Sequence, residues 1–355
     1  MDSMTPLERL SALARGETLD RLPCVPIVGN TAARVIGVRV LDLRGNGRLI
    51  AQAQVAAYRR FRYDIVRIFT DLYTQAEAMG AKVAYPEDET AYLVTPAITD
   101  VSQIDRLRAP DPLEDGNLPQ FLEAMKIALD EVGGEVAVTG AITGPFTNSS
   151  FLVGAEEIAR LTLRAPEAVH RLCELSLEAN LRYAEAMLDL GCTPSLTDAM
   201  SSCSVISPRA FREFSLPYLE RLIEYIHSRG KRVTLHICGD TRQIWEAMVE
   251  SGADCLSLDN DVDLAEAKAK IGARVCLMGN VRPSEVMLQG SPADVRSAVR
   301  ACVRKAHDSP RGYIVASGCS LATDTPFANI EAMMDAVSEV GYPVTLEKLQ
   351  RLHAA

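Results

Sequence analysis

The side chains best suited to chemistry in this sequence are one histidine and two cysteines. His236 and Cys238 lie two residues apart in the segment 232–238, and Cys319 follows Ser317-Gly318. If 232–238 is a strand, residues two apart point to the same face, so both side chains lie together at its C-terminal end. One imidazole and two thiolates could hold Zn²⁺ with a fourth position open, which is the arrangement of a catalytic zinc site.

Spacing alone leaves two interpretations of these residues open. A His-x-Cys pair also occurs by chance, and cysteine is frequently a small core residue. The sequence contains no Cys-x-x-Cys pair, which is typical of structural zinc sites. A metal here is therefore predicted to be catalytic. Cys203, in the loop after the fourth predicted strand, is not expected to be a ligand.

Two aspartates end the predicted strands on either side of the His236 strand. Asp198 ends the fourth strand and Asp259 ends the sixth. Either carboxylate could orient the imidazole, accept a substrate proton or become a labile fourth ligand, so both are catalytic candidates. A solvated or helix-capping carboxylate is the alternative for each. Polar residues that could line a substrate pocket are Asn30, Tyr73, Thr143, Asn148 and Asn280.

Strands must position these residues, and short apolar runs rich in β-branched residues predict them. The eight runs are 24–29, 63–69, 135–142, 194–199, 232–238, 255–260, 274–279 and 312–317. Amphipathic helical stretches such as 208–228 and 241–251 separate them. Strands that are apolar throughout and alternate with helices indicate a parallel sheet covered on both faces.

Eight such units favour an α/β fold of the closed (β/α)8 TIM barrel type over an open doubly wound sheet. The segment Thr5-Pro6-Leu7-Glu8 is a capping box with proline at the first helical position, which predicts an N-terminal helix. No linker or second core is evident. We therefore predict a single domain over 1–355, with an N-terminal helical extension over 1–22 and the barrel over 23–355.

Composition excludes several classes of function. The 355 residues include 37 Lys+Arg and 47 Asp+Glu, a formal charge of −10, and only 5% aromatics. This balance argues against nucleic acid or anionic lipid as a partner. No apolar stretch is long enough for a transmembrane helix, and the first residues lack the apolar core of a secretory signal. Nine cysteines scattered in apolar runs suit a reduced compartment, so we expect a soluble, cytoplasmic protein.

The motifs resemble those of the uroporphyrinogen decarboxylase superfamily. The segments are 236–241, which reads His-Ile-Cys-Gly-Asp-Thr, and 318–326, which runs from Gly-Cys-Ser to Asp-Thr-Pro. They are most similar to the zinc-dependent branch, the methylcobalamin:coenzyme M methyltransferases and related corrinoid O-demethylase methyltransferases. The resemblance implies a TIM barrel and zinc held by His236, Cys238 and Cys319.

The sequence departs in two places from the motifs of related proteins, and each departure limits the activities expected of this chain. Where uroporphyrinogen decarboxylases carry an Arg-Gln-Ala-Gly-Arg-Tyr-type segment, residues 26–34 read Pro-Ile-Val-Gly-Asn-Thr-Ala-Ala-Arg. The arginines for the porphyrinogen carboxylates are missing, so tetrapyrrole decarboxylation is not expected. The chain also lacks Asp-x-His-x-x-Gly, a motif by which many corrinoid proteins ligate cobalt. A corrinoid is therefore expected to arrive on a separate protein.

The function predicted from the sequence is zinc-dependent methyl transfer between this corrinoid (cobalamin) and a small substrate such as a thiol or a methoxylated compound. The expected partners are a corrinoid protein and a small methyl donor or acceptor, and a homodimer is the assembly we consider. A metal-free decarboxylase or lyase of the same fold is the alternative, and a non-catalytic binding barrel is a third. Three soft ligands at the barrel mouth favour the first of these.

Overall fold

Eight parallel strands form the frame of the protein. The computed structural model describes residues 2–69 and 71–354, so Met1, Thr70 and Ala355 lie outside the described part. The strands are β1 Cys24–Val25, β2 Ile65–Ile68, β3 Ala137–Thr143, β4 Thr193–Thr197, β5 Thr234–Ile237, β6 Cys255–Leu258, β7 Cys276–Val281 and β8 Tyr313–Ser317. Their order in the sheet is β1-β8-β7-β6-β5-β4-β3-β2, with every ladder parallel. The predicted (β/α)8 barrel is confirmed.

Helices lie between the strands and cover the outside of the barrel. The α-helices are Pro6–Arg15, Thr31–Val35, Val40–Leu43, Gly47–Phe61, Thr74–Ala78, Leu118–Val132, Pro145–Val153, Ala155–Arg164, Pro166–Asp189, Pro208–Phe214, Leu216–Ser228, Trp245–Glu250, Leu264–Ile271, Pro292–Ala306, Phe327–Val340 and Leu346–Ala354. Shorter 3₁₀ and π turns are Val101–Arg106, Ala199–Ser201 and Pro283–Leu288. An antiparallel hairpin, Lys82–Ala84 with Tyr92–Thr95, follows β2. None of the described helices is long and apolar enough to cross a bilayer.

Proline explains two differences from the predicted elements. The predicted strand 24–29 ends at Val25, because Pro26 has no N–H to donate to a ladder. The predicted helix 208–228 is two helices that meet at Ser215, because Pro217 lies in the first turn of the second helix and cannot continue the first. The predicted helix 241–251 is shorter, Trp245–Glu250.

The barrel closes where β1 meets β2, and an aspartate links the two strands by hydrogen bonds. The Asp64 N–H donates to the Cys24 carbonyl at 2.9 Å. The Cys24 N–H in turn donates to Asp64 Oδ2 at 2.6 Å. A side-chain oxygen thus takes part in the contact where the described strands form no β1–β2 ladder.

Two buried arginines neutralise the Asp64 carboxylate. Arg21 Nη1 donates to Asp64 Oδ2 at 2.7 Å, and Arg9 Nη1 donates to Asp64 Oδ1. Arg9 also binds Asp20 through Nε at 2.7 Å. Arg9 lies on the N-terminal helix, whose predicted capping box between Thr5 and Glu8 is present. Ion pairs therefore hold the N-terminal helix to the β1–β2 junction.

The Asp64→Asn variant should lower the free energy of unfolding by about 3–5 kcal/mol, because two buried guanidiniums would lose their shared counter-charge. Urea denaturation followed by circular dichroism measures this change. Glu17→Gln, which removes an exposed partner of Arg15, is the matched control and should change stability by less than about 1 kcal/mol. Equal effects of the two variants would contradict the role given to Asp64.

Candidate metal centre at the barrel mouth

Four metal-ligating side chains converge at the C-terminal ends of the barrel strands. They are His236 on β5, Cys238 just after it, Asp259 just after β6 and Cys319 after β8. One ligand atom from each lies within 4.8 Å of every other. His236 and Asp259 are buried, whereas the two cysteines are half-buried. The structure therefore brings together the three predicted metal ligands and one of the two predicted catalytic carboxylates.

The imidazole of His236 is oriented by its neighbour on β6. Its Nδ1 lies 3.0 Å from the Ser257 carbonyl oxygen and 3.1 Å from the Ser257 hydroxyl. A carbonyl only accepts, so Nδ1 carries the proton and Nε2 presents its lone pair to the cluster. Nε2 lies 3.3 Å from Cys238 Sγ. Ser257, and neither aspartate, fixes the tautomer that a metal needs.

A glycine turn directly after Cys238 holds the Asp259 carboxylate beside it. Gly239, directly after Cys238, has φ 69°, a left-handed conformation that favours glycine. Its N–H donates to Asp259 Oδ2 at 2.9 Å, and the Asp261 N–H donates to Oδ1 at 3.2 Å. The carboxylate is thus held by two backbone donors within reach of the other ligand atoms.

A second glycine lets the Cys319 loop approach the loop after β6. A Cβ on Gly318 would lie 2.7 Å from the backbone nitrogen of Asn260, which is closer than real contacts allow. The same loop is tied to the first strand segment, since the Leu321 N–H donates to the Ile27 carbonyl at 2.9 Å. Glycine at 318 is therefore a steric requirement for bringing Cys319 to the cluster.

The two thiols share charge as a pair. A hydrogen bond with Cys319, together with burial, raises the pKa of Cys238, and the same bond lowers the pKa of Cys319 below its usual range. The hydrogen bond between the two sulfur atoms uses one thiol proton. A bound divalent ion would displace the remaining proton, because metals bind the thiolate form.

Asp198 lies outside this cluster and is fully buried. Its Oδ1 accepts the Thr147 N–H at 2.8 Å, and its Oδ2 accepts the hydroxyls of Ser201 at 2.6 Å and Ser215 at 2.7 Å. The Asp198 N–H also donates to the His236 carbonyl at 2.9 Å. These contacts hold the loop after β4 against β5. The Asp198 carboxylate therefore supports the position of His236 without being part of the cluster.

Two of the predicted pocket residues donate hydrogen bonds from their side chains to nearby backbone carbonyls. Asn280 Nδ2 donates to the carbonyls of Asp259 and Val262, each at 2.8 Å. It thereby fixes the loop that carries the cluster carboxylate. The Thr143 hydroxyl donates to the Leu72 carbonyl at 2.7 Å.

The other three pocket candidates have contacts or surroundings of their own. Asn148 is fully buried and donates to the Ser176 hydroxyl at 3.1 Å. The ring of Tyr73 packs on Phe151 with centroids 4.4 Å apart. Asn30 lines a small cavity between the hairpin and the first helices rather than the barrel lumen.

Sequence reasoning missed two residues that face the barrel interior. Ser257 is the register partner of His236 on the neighbouring strand. Arg67 lies on β2 and donates from Nη2 to the Thr197 hydroxyl at 2.7 Å. The available signals were the inward period of two in the run 255–260 and the arginine within the apolar stretch 65–69.

A family model described as uroporphyrinogen decarboxylase (URO-D) matches residues 5–340. The chain belongs to this family. The resemblance predicted from the motifs around His236 and Cys319 is therefore confirmed at the family level.

The relatives of this chain include two kinds of enzyme. The methylcobamide:CoM methyltransferase MtaA of Methanosarcina barkeri is 28% identical over 345 residues, which cover 96% of this chain and 99% of that protein. A uroporphyrinogen decarboxylase of Psychromonas ingrahamii is 28% identical over 312 residues, which cover 85% and 86%. Among solved structures, a methyltransferase from Methanosarcina mazei matches with a TM-score of 0.86 at 25% identity, covering 95% of this chain and 99% of that chain. The methyltransferases are similar over nearly the full length of both chains.

The cluster should bind one divalent ion, and Cys319→Ala should weaken that binding by about 100-fold or more, because three soft ligands leave no spare one. Titration with Co²⁺, whose bonds to thiolates absorb in the near ultraviolet, measures both affinity and stoichiometry.

Cys203→Ala is the matched control for Cys319→Ala, since Cys203 is also half-buried but lies outside the cluster. It should bind Co²⁺ as the parent chain does. Retention of full Co²⁺ affinity by Cys319→Ala would exclude the cluster as a metal centre.

Proposed function

We propose that this protein is a zinc-dependent methyltransferase that moves a methyl group between a corrinoid carried by a separate protein and a small substrate. The observation that carries the proposal is the convergence of His236, Cys238, Cys319 and Asp259 at the barrel mouth. The mouth is where the active sites of TIM-barrel enzymes lie. Names of relatives that are similar over nearly their full length agree with this reaction.

The donor set fits zinc. Zn–S bonds of about 2.3 Å and Zn–N bonds of about 2.0 Å place tetrahedral ligand atoms roughly 3.5 Å apart. The separation of 3.3 Å between Cys238 Sγ and His236 Nε2 is close to that value. Two thiolates with one neutral imidazole also balance the charge of a divalent ion, (+2) + (−2) + 0. Asp259, an oxygen ligand held by backbone donors, is the member suited to leave when substrate enters.

Zinc at this position would bind a substrate thiol as its thiolate, or polarise the oxygen of a methyl donor. The chain itself supplies orientation and exclusion of water. Ser257 keeps the His236 lone pair aimed at the cluster, and Asn280 keeps the loop of Asp259 in place. His236 and Asp259 are at most 8% exposed, so charge at the cluster is poorly screened by solvent.

A corrinoid must reach the cluster from outside the chain. The two cysteines are half-buried, so the cluster is accessible from the mouth. The sequence lacks the Asp-x-His-x-x-Gly motif of many corrinoid proteins. We therefore infer that a separate corrinoid protein docks over the C-terminal ends of the strands.

The structure of the first loop argues against the decarboxylase alternative. Arg34 is the arginine nearest to the place where uroporphyrinogen decarboxylases carry theirs. Its Nη1 donates to the carbonyls of Thr323 at 2.9 Å and Thr325 at 3.2 Å. Its guanidinium also lies over the Phe327 ring. Arg34 is thus committed to the loop after β8.

Removal of zinc should abolish methyl transfer while the barrel stays folded, because the core is built by the strands and helices without the cluster. Demethylation of methylcobalamin in the presence of coenzyme M, followed by cobalamin absorbance, measures activity, and circular dichroism measures folding.

Restoration of activity by one equivalent of Zn²⁺ is the expected control result. Activity that survives complete removal of the metal would overturn the proposal in favour of a metal-free lyase. Loss of the circular dichroism signal on chelation would instead assign the metal a structural role.

The purified chain should show no visible absorption from a corrinoid, since no segment of it provides the lower cobalt ligand motif. The visible absorption spectrum of the purified chain provides the measurement. A corrinoid recovered in stoichiometric amount with this chain alone would contradict the inferred partner.

A further inference from the structure

Two cysteines outside the metal cluster lie side by side at the N-terminal end of the barrel. Cys255 is the first residue of β6 and Cys276 is the first residue of β7, and the two are register partners in the parallel ladder. Neighbouring strands lie about 4.8 Å apart, which falls within the range of Cα separations that disulfides span, about 4.4–6.8 Å. Both cysteines carry free thiols.

The two side chains point into the barrel lumen and contact each other. Cys255 precedes Ser257 by two residues, and the Ser257 hydroxyl contacts the His236 ring, so Cys255 and Ser257 share the inner face of β6. Cys276 belongs with Cys255 to a small apolar cluster. A hydrogen bond between the two thiols, together with burial, raises the pKa of Cys255 well above its usual value. The Cys255 thiol therefore keeps its proton at neutral pH.

This pair of thiols is separate from the metal cluster. Asp259 follows the C-terminal end of β6, four residues after Cys255. At about 3.3 Å per residue, the two Cα atoms lie roughly 13 Å apart. Neither Cys255 nor Cys276 belongs to the group of metal-ligating side chains at the mouth. The pair therefore has no part in the function proposed above.

Cys276 also lines a cavity of about 610 Å³ at the N-terminal face of the barrel. The cavity lies between the end of the N-terminal helix and the segments that precede β6, β7 and β8, and its volume is that of a site for a small organic molecule. Of the described residues that line it, Cys276 is the only cysteine. Three carboxylates line it, against the four guanidiniums of Arg15, Arg232, Arg274 and Arg311. This balance suits a ligand that carries carboxylates.

Packing alone does not account for this arrangement. A buried cysteine is ordinarily a small apolar residue of the core. Cys192 fits that description, since it is fully buried and its Sγ donates to the Val138 carbonyl at 3.5 Å. Cys276 differs from Cys192 in two respects, because its contact is a second thiol and a cavity lies beside it. Two thiols in contact, one of them open to a cavity, are the arrangement that thiol–disulfide exchange requires.

We propose that Cys255 and Cys276 are an exchangeable dithiol that reacts with a small, carboxylate-bearing disulfide entering this cavity. The thiolate of Cys276 attacks one sulfur of the reagent, which forms a mixed disulfide and releases one thiolate. Cys255 then attacks the Cys276 sulfur, so the Cys255–Cys276 bond forms and the second thiolate leaves. The two protein thiols lose two electrons, and the reagent is reduced to two thiols that take up both protons. In a reducing compartment such a bond is transient.

The test treats the purified full chain with an excess of glutathione disulfide, alkylates the remaining thiols and maps the peptides by mass spectrometry without reduction. The parent chain should lose the free thiols of Cys255 and Cys276 together and gain a cross-link between their two peptides. Dithiothreitol should remove this cross-link. The thiol of Cys192, which is fully buried, should remain free and is the internal control.

Single variants separate the roles of the two cysteines. Cys255→Ala lacks the second thiol, so the reagent should stay on Cys276 as a mixed disulfide. Cys276→Ala should leave Cys255 as a free thiol, because Cys255 does not line the cavity. Circular dichroism confirms that each variant is folded, and the serine variants repeat the comparison if an alanine variant is not.

Three results would overturn the proposal. They are a parent chain that forms no link between Cys255 and Cys276, a Cys255→Ala chain that carries no mixed disulfide on Cys276, and a Cys276→Ala chain that carries one on Cys255. The first result would show that the two thiols serve packing alone. Either of the others would show that the cavity does not decide which thiol reacts.

Discussion

Closure of the barrel at the β1–β2 junction is the constraint on which the site depends. The candidate ligands come from β5, β6 and β8, which lie within four consecutive strands of the sheet, and the loop that carries Cys319 is held to the segment after β1 by the hydrogen bond from the Leu321 N–H to the Ile27 carbonyl. β1 is too short to form a full ladder with β2, because Pro26 ends it. Asp64 replaces the missing ladder with its carboxylate, and the N-terminal helix supplies the arginine that makes a buried carboxylate tolerable.

Buried charges are paired within the chain at the β1–β2 junction but not at the mouth of the barrel. At the β1–β2 junction every buried charge has a partner within the chain, which favours one rigid arrangement. At the mouth, Arg67 has no carboxylate partner among the described residues and its buried Nε has no hydrogen-bond partner, so the chain alone leaves this charge incomplete. Incomplete electrostatics of this kind are typical of sites whose remaining partners are ligands.

The sequence was sufficient for the barrel, because strand periodicity is a local property, and it singled out the three residues His236, Cys238 and Cys319 that the structure brings together. It could not separate Asp198 from Asp259, since both are acids at strand ends. What separates them is non-local: Ser215 and Thr147 come from distant segments to bind Asp198, whereas Gly239 turns back to bind Asp259. Ser257 escaped notice for a similar reason, because its role follows from the register between β5 and β6.

The position of Cys319 after the last strand has a consequence for how the protein matures in the cell. A nascent chain that has emerged only as far as β7 carries His236, Cys238 and Asp259 but lacks the second thiolate. Because affinity for the proposed metal would depend on all the soft ligands together, such a chain would bind it poorly. Under the proposed function, metal binding would therefore follow synthesis of β8, and the metal content of the protein would report whether the chain had been completed through Cys319.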